Sequence, residues 1–137
     1  MPARAGGGSR RAARERALSL LYEAEAKGQT VPEVLAGLAV EPEPFVVEIV
    51  SGVDRSSAAI DELISRFSID WSLARMPAID RNLLRMAVYE LTERPATPVA
   101  VVIDEAVDLA KLYSTEASGS FVNGVLSAVA SSVRPSC

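Results

Sequence analysis

A chain of 137 residues that is 49% apolar but only 5% aromatic can build one domain, with a core of aliphatic side chains and alanine that leans towards helix. It has no histidine and one cysteine, Cys137, which excludes an internal disulfide and a thiolate metal cluster and removes the commonest general base. The net charge of −4 conceals an asymmetry: residues 1–16 carry five arginines against one glutamate, whereas the rest carries nine basic against 17 acidic residues, the pattern of a polyanion-binding arm on an acidic body.

Residues 1–8, MPARAGGG, read as a disordered tail, and Ser9 as the cap of a first helix. Along that helix Ala13, Ala17, Leu20, Leu21 and Ala24 recur at helical spacing until Gly28 ends the run. Thr30-Val-Pro-Glu33 has the form of a capping box for a short second helix to about Leu38. After the break at Glu41–Pro44, a third helix runs from Pro44 to Val53. A fourth carries Ile60, Leu63, Ile64 and Phe67 as an apolar stripe. Asp70–Leu73 reads as one short helical turn, with Trp71 and Phe67 in the core.

Pro77 opens a fifth helix carrying Leu83, Leu84, Met86, Val88 and Leu91. Thr97 and Pro98 cap and open a sixth, with Val102, Ile103, Ala106, Leu109 and Ala110 on its buried face. A seventh spans about Ser118 to Ser131. Asn123-Gly124 falls inside it, and a helical glycine costing about 1 kcal/mol relative to alanine implies close approach of a neighbour. No sustained period-two alternation occurs. The expectation is an all-α fold of about seven helices in two small sub-bundles, roughly 9–68 and 77–133, forming one domain over 9–137 with a seam near 68–77.

The longest strictly apolar run, Val99–Ile103, is far short of the roughly 20 residues of a spanning helix, and no secretory signal is evident at the N-terminus. A cytoplasmic setting fits. On helix one Arg10 and Arg14 stack at i, i+4, Arg11 lies on the adjoining strip and Tyr22 continues it. Guanidiniums that grip phosphate beside an aromatic face that stacks a base suit single-stranded RNA. The alternative is a solvated helix start with a core tyrosine. Cations at a helix N-terminus oppose its dipole, so their placement there does not serve stability. A second charged surface combines Asp80, Arg81, Arg85 and Glu90 on helix five with Asp104, Glu105 and Asp108 on helix six. Without histidine a helical di-iron site is excluded, and no metal, cofactor or catalytic residue is assigned.

Phe121-Val-Asn-Gly-Val-Leu126, preceded by Ile103-Asp-Glu-Ala-Val-Asp-Leu-Ala-Lys111, resembles the NusB family of bacterial transcription antitermination factors. Ala13–Tyr22, Ile79–Leu91 and Pro98-Val-Ala-Val agree with the same family in the expected order. The resemblance implies an all-helical, non-enzymatic protein that binds boxA, a single-stranded element of nascent ribosomal transcripts. Its partners would be NusE, a small-subunit ribosomal protein, and the RNA polymerase antitermination complex. It gives RNA contacts to Arg10, Arg11, Arg14 and Tyr22 and, in the segment before Phe121, to Ser118 and Ser120. That segment departs from the family in Ala117, where an acid is usual, and near Ser120, where a lysine is expected. NusE docking is assigned to helices five and six through Asp80, Arg85, Glu90 and Asp104. Members occur as monomers and homodimers, and a homodimer would hide the arginine face. Two other readings stand beside this one. One is the NusB-like domain of a ribosomal RNA cytosine methyltransferase, for whose catalytic half this chain has no room. The other is a helical module that binds protein alone.

Overall fold

The computed structural model describes residues 7–135. The residues before and after, including most of the glycine-rich tail, Arg4 and Cys137, lie outside it. Seven α-helices follow one another: α1 (Gly7–Lys27), α2 (Val31–Ala36), α3 (Pro44–Arg55), α4 (Ser57–Phe67), α5 (Ala78–Glu93), α6 (Val99–Tyr113) and α7 (Glu116–Val133). A single 3-10 turn, Leu73–Arg75, joins α4 to α5, and there is no strand among the described residues. The all-α expectation holds.

Local chemistry sets most boundaries. Gly28 takes φ +64°, the left-handed conformation that costs glycine least. Its N–H donates to Glu25 O (3.3 Å) and that of Gln29 to Ala24 O (2.9 Å), a Schellman closure of α1. At α2, Glu33 N donates to Thr30 Oγ1 (3.2 Å) and Thr30 N to Glu33 Oε1 (2.8 Å), completing the capping box. Three starts differ from the sequence reading. Helix α1 begins at Gly7, which puts Ser9 inside it. Helix α6 has Pro98 at its cap position with no side-chain hydrogen bond, and Thr97 instead offers its carbonyl to Arg134. Helix α7 begins at Glu116, two residues early, because Thr115 Oγ1 accepts from Ser118 N at 2.9 Å.

Helix α5 is the hub. Leu83, Leu84, Met86, Ala87, Val88, Tyr89 and Leu91 are all buried, so apolar side chains cover nearly every face of it. It packs against α1, α3 and α4 on one side and α6 and α7 on the other. Ile49, Ile64, Leu109 and Leu126 of the neighbouring helices are fully buried, each contributing about 1.5–3 kcal/mol by burial. Arg134 closes the far end of α5 by donating to the carbonyls of Glu90, Leu91 and Arg94 as well as Thr97.

The close approach inferred at Gly124 is not there. A Cβ at Gly124 would meet nothing within 4 Å, and Asn123 is exposed, because Val122, Val125, Leu126 and Val129 form the buried face of α7 instead. The tight contacts are elsewhere. A Cβ on Gly52 would stand 2.2 Å from Tyr89 Cε1, and one on Gly119 2.9 Å from Lys111 Cγ. Trp71 and Phe67, expected in the core, are only half-buried and line an open cleft of about 560 Å³ with Phe121. Trp71 meets Phe121 edge to face, with ring centroids 5.0 Å apart.

Tyr89 is buried, and its hydroxyl donates to Glu48 Oε2 at 3.0 Å. Arg94 donates to the other oxygen at 2.6 Å. Burial pushes the Glu48 carboxyl up, but the hydrogen bonds from Arg94 and Tyr89 outweigh it and hold the pKa below the ordinary 4.5. A depressed folded-state pKa stabilises above the unfolded value and is lost as pH falls through the folded one. In urea titrations, wild type should therefore exceed Glu48→Gln by at most about 1 kcal/mol at neutral pH, a gap that closes below about pH 4. A gap constant across that range would contradict the ionic role of Glu48.

Candidate nucleic-acid interface

The arginines of α1 divide into three environments. Arg10 is exposed, its guanidinium carbon 3.9 Å from the Phe45 ring centroid. Among the described residues it forms no ion pair within 4.0 Å; Glu48 acts on it only from farther away. Stacking on a ring leaves the planar N–H edge free to donate.

Arg11 is half-buried and engaged through Nε and Nη2. Nε donates to Glu105 Oε1 at 2.6 Å, and Nη2 donates to Glu105 Oε2 at 2.8 Å and to Asp108 Oδ2 at 2.9 Å. The hydrogen bonds it donates to Glu105 raise its pKa above the ordinary arginine value despite partial burial. Arg14 lies wholly inside. It is 5% exposed and forms a bidentate pair with Glu90, itself 2% exposed, at 2.8 and 2.7 Å. Burial works against its charge, but Glu90's hydrogen bonds and field prevail and raise its pKa. The continuous arginine strip along α1 is thus corrected: its apolar neighbours Ala13, Ala17 and Leu18 turn Arg14 into the core beside them.

Tyr22 is exposed, and it shares a cleft of about 300 Å³ with Tyr113, Glu15, Leu18, Ser19 and Ile79. Tyr113 donates its hydroxyl to Glu15 Oε2 at 2.6 Å. Sequence reasoning did not join Tyr113 to Tyr22, since 91 residues of chain separate them and only the docking of α6 on the bundle brings them together. Of the two serines before Phe121, Ser120 is exposed, whereas Ser118 is buried with its hydroxyl 3.0 Å from both Ser114 Oγ and Thr115 Oγ1. The inward turn of Ser118 follows from its place at N3 of α7, where it completes the cap.

The acidic docking face also needs correction. Asp80 is fully buried, and neither carboxylate oxygen has a hydrogen-bond partner among the described residues. Glu90 belongs to Arg14. Arg85 forms a bidentate pair with Asp61 of α4 at 2.8 and 3.0 Å. The physical reason is common to all three: α5 is buried on nearly all sides, so its polar residues pair internally or stay unpartnered. Only Asp104 of that set is exposed, on α6.

Among the described residues no cluster of three metal-ligating side chains occurs, and no helix is long and apolar enough to cross a membrane. An all-helical scaffold that presents an arginine over a ring, exposed tyrosines and exposed acids on α6 offers groups suited to charged macromolecules. The comparisons particularise it. A family model described as NusB family matches residues 11–131. The chain is 46% identical over 129 residues to the transcription antitermination protein NusB of Sorangium cellulosum, covering 90% of this chain and 92% of that relative. It is 47% identical over 124 residues to the same protein of Thermobifida fusca, covering 88% and 87%. A solved T. maritima NusB superposes with a TM-score of 0.84 at 35% identity, covering 92% of this chain and 93% of that one. A chain from the crystal structure of antitermination factors NusB and NusE in complex with dsRNA superposes at 0.78, with 29% identity and coverage of 93% and 99%. The chain belongs to the NusB family.

Proposed function

We propose that this protein is a transcription antitermination factor that binds RNA together with NusE, and that it acts by binding and not by catalysis. It would work in the cytoplasm, where transcripts emerge, tying boxA RNA and the ribosomal protein to the RNA polymerase antitermination complex. The observation that carries this reading is Arg10, a guanidinium over the Phe45 ring with no ion pair among the described residues, at the basic end of a chain whose structural relative was crystallised with NusE and RNA. Tyr22 offers a face for a splayed base and Ser120 a hydroxyl. Arg11 contributes when a phosphate replaces Glu105 and Asp108 as its acceptor. Asp104, with Asp108 beside it on α6, suits the basic surface expected of a ribosomal protein. The chain spans about nine-tenths of the curated relatives it matches, so those relatives have no room for a methyltransferase half.

The test is the salt dependence of binding to single-stranded boxA RNA with NusE present. Arg10→Ala should weaken affinity at every salt concentration and lower the log–log slope by up to about 0.7, the contribution of one single-strand phosphate contact. An unchanged slope would remove Arg10 from the interface, and no binding by wild type would favour the protein-only module.

A further inference from the structure

Lys111, near the end of α6, lies across α7 where Gly119 leaves room for it. A Cβ on Gly119 would stand 2.9 Å from Lys111 Cγ and 3.0 Å from Cε, so the lysine stem rests on bare backbone. A lysine side chain carries about 2 kcal/mol of rotamer entropy, and seating the stem restricts part of that freedom before any ligand arrives. The residue stays exposed, and among the described residues it enters none of the ion pairs. It lines a groove of about 250 Å³ between α6 and α7, with Ser120, Asn123 and Asp104 as the other polar walls.

We propose that Lys111, held flat by Gly119, binds one backbone phosphate of the RNA strand, with the Ser120 hydroxyl and the Asn123 amide donating beside it. The inference rests on the RNA-binding reading above, which already includes Ser120, and adds Lys111 and Asn123 of the α6–α7 groove to it. Ammonium, hydroxyl and amide together supply the donors an anion requires. Asp104 is the one acid of the groove. It lies seven residues before Lys111 on α6, about 10 Å along the helix axis and near one Debye length, so its repulsion at the Lys111 end is largely screened. RNA is favoured over an acidic peptide because Ser120 also stands on the wall of the Trp71–Phe121 cleft. A phosphate at Lys111 therefore places its nucleotide beside an aromatic edge, which a nucleotide uses and a carboxylate side chain does not.

The experiment measures boxA RNA affinity, with NusE present, across a salt series for wild type, Lys111→Gln, Gly119→Ala, the double variant and Arg10→Ala. Helical content and melting temperature confirm that each variant folds. Lys111→Gln should weaken binding by about 3- to 10-fold and lower the slope by about 0.7. Gly119→Ala keeps the charge but lifts the stem, and should weaken binding less in the wild-type background and not at all in the Lys111→Gln background. Unchanged affinity and slope in Lys111→Gln, with Arg10→Ala impaired, would overturn this inference and leave the RNA-binding reading standing. Wild type failing to bind would overturn both. Weakened NusE binding in Lys111→Gln, with RNA slope intact, would assign the groove to protein and overturn the inference.

Discussion

Glu90→Ala is expected to lower stability by about 3–5 kcal/mol, the cost of breaking a buried ion pair. The substitution strands the Arg14 guanidinium in the core. Arginine cannot shed its proton to escape, and the next carboxylate, Glu105, is 3.7 Å from Nη1 and already engaged with Arg11. Domains of this size have about 5–15 kcal/mol in hand, so the variant would be close to unfolding at physiological temperature. The pair as a unit is a different matter, because desolvating two charges offsets most of their attraction. Replacing both, as Arg14→Met with Glu90→Leu, should lie within about 1 kcal/mol of wild type or above it. Urea unfolding of the three proteins distinguishes a pair that stabilises from one that merely cannot be broken. A loss below about 1 kcal/mol for Glu90→Ala would mean that water reaches Arg14 in the folded state. If the double variant folds and still binds RNA, Arg14 is scaffold and the contacts attributed to it belong to Arg10 and Arg11.

Gly52→Ala should cost about 3 kcal/mol, at the upper end of what overpacking a core exacts, whereas Gly124→Ala should gain up to about 1 kcal/mol. The two substitutions are chemically identical and both fall within helices. They differ in what the new methyl group meets. At Gly52 it would meet three atoms of the Tyr89 ring at 2.2, 2.5 and 2.8 Å. That ring lies between α3 and α5, so it cannot swing aside without breaking its hydroxyl's hydrogen bond to Glu48, whose other oxygen accepts from Arg94. At Gly124 the methyl group meets nothing, and the helix-propensity gain is realised in full. Thermal unfolding of the two variants should move the melting temperature in opposite directions. A stable Gly52→Ala protein would require α3 and α5 to move apart, and a destabilised Gly124→Ala would require an unseen partner in the cleft beside Phe121.

Much of the fold was legible because much of it is local. The capping box at Thr30–Glu33, the glycine stop at Gly28 and the stripe from Ile60 to Phe67 each depend on residues within two turns of one another, and each appears where the sequence puts it. The family motif around Phe121 was equally readable, since a motif is sequence. The candidate site was less so. Arg10, Arg11 and Arg14 look alike in the sequence, yet one stacks on Phe45, one bridges two carboxylates and one is interred.

By itself, then, the chain's sequence determined the helices, many of their ends and the basic start of α1, because turn-level hydrogen bonds and apolar periodicity are short-range properties. The tertiary structure alone decided which charges remain available. Glu105 reaches Arg11 from 94 residues away and Glu90 reaches Arg14 from 76, and Asp80 is enclosed because α5 is surrounded by five other helices. Those outcomes depend on how helices dock, and docking is governed by the summed burial of many apolar side chains and not by the charged residue whose fate it settles.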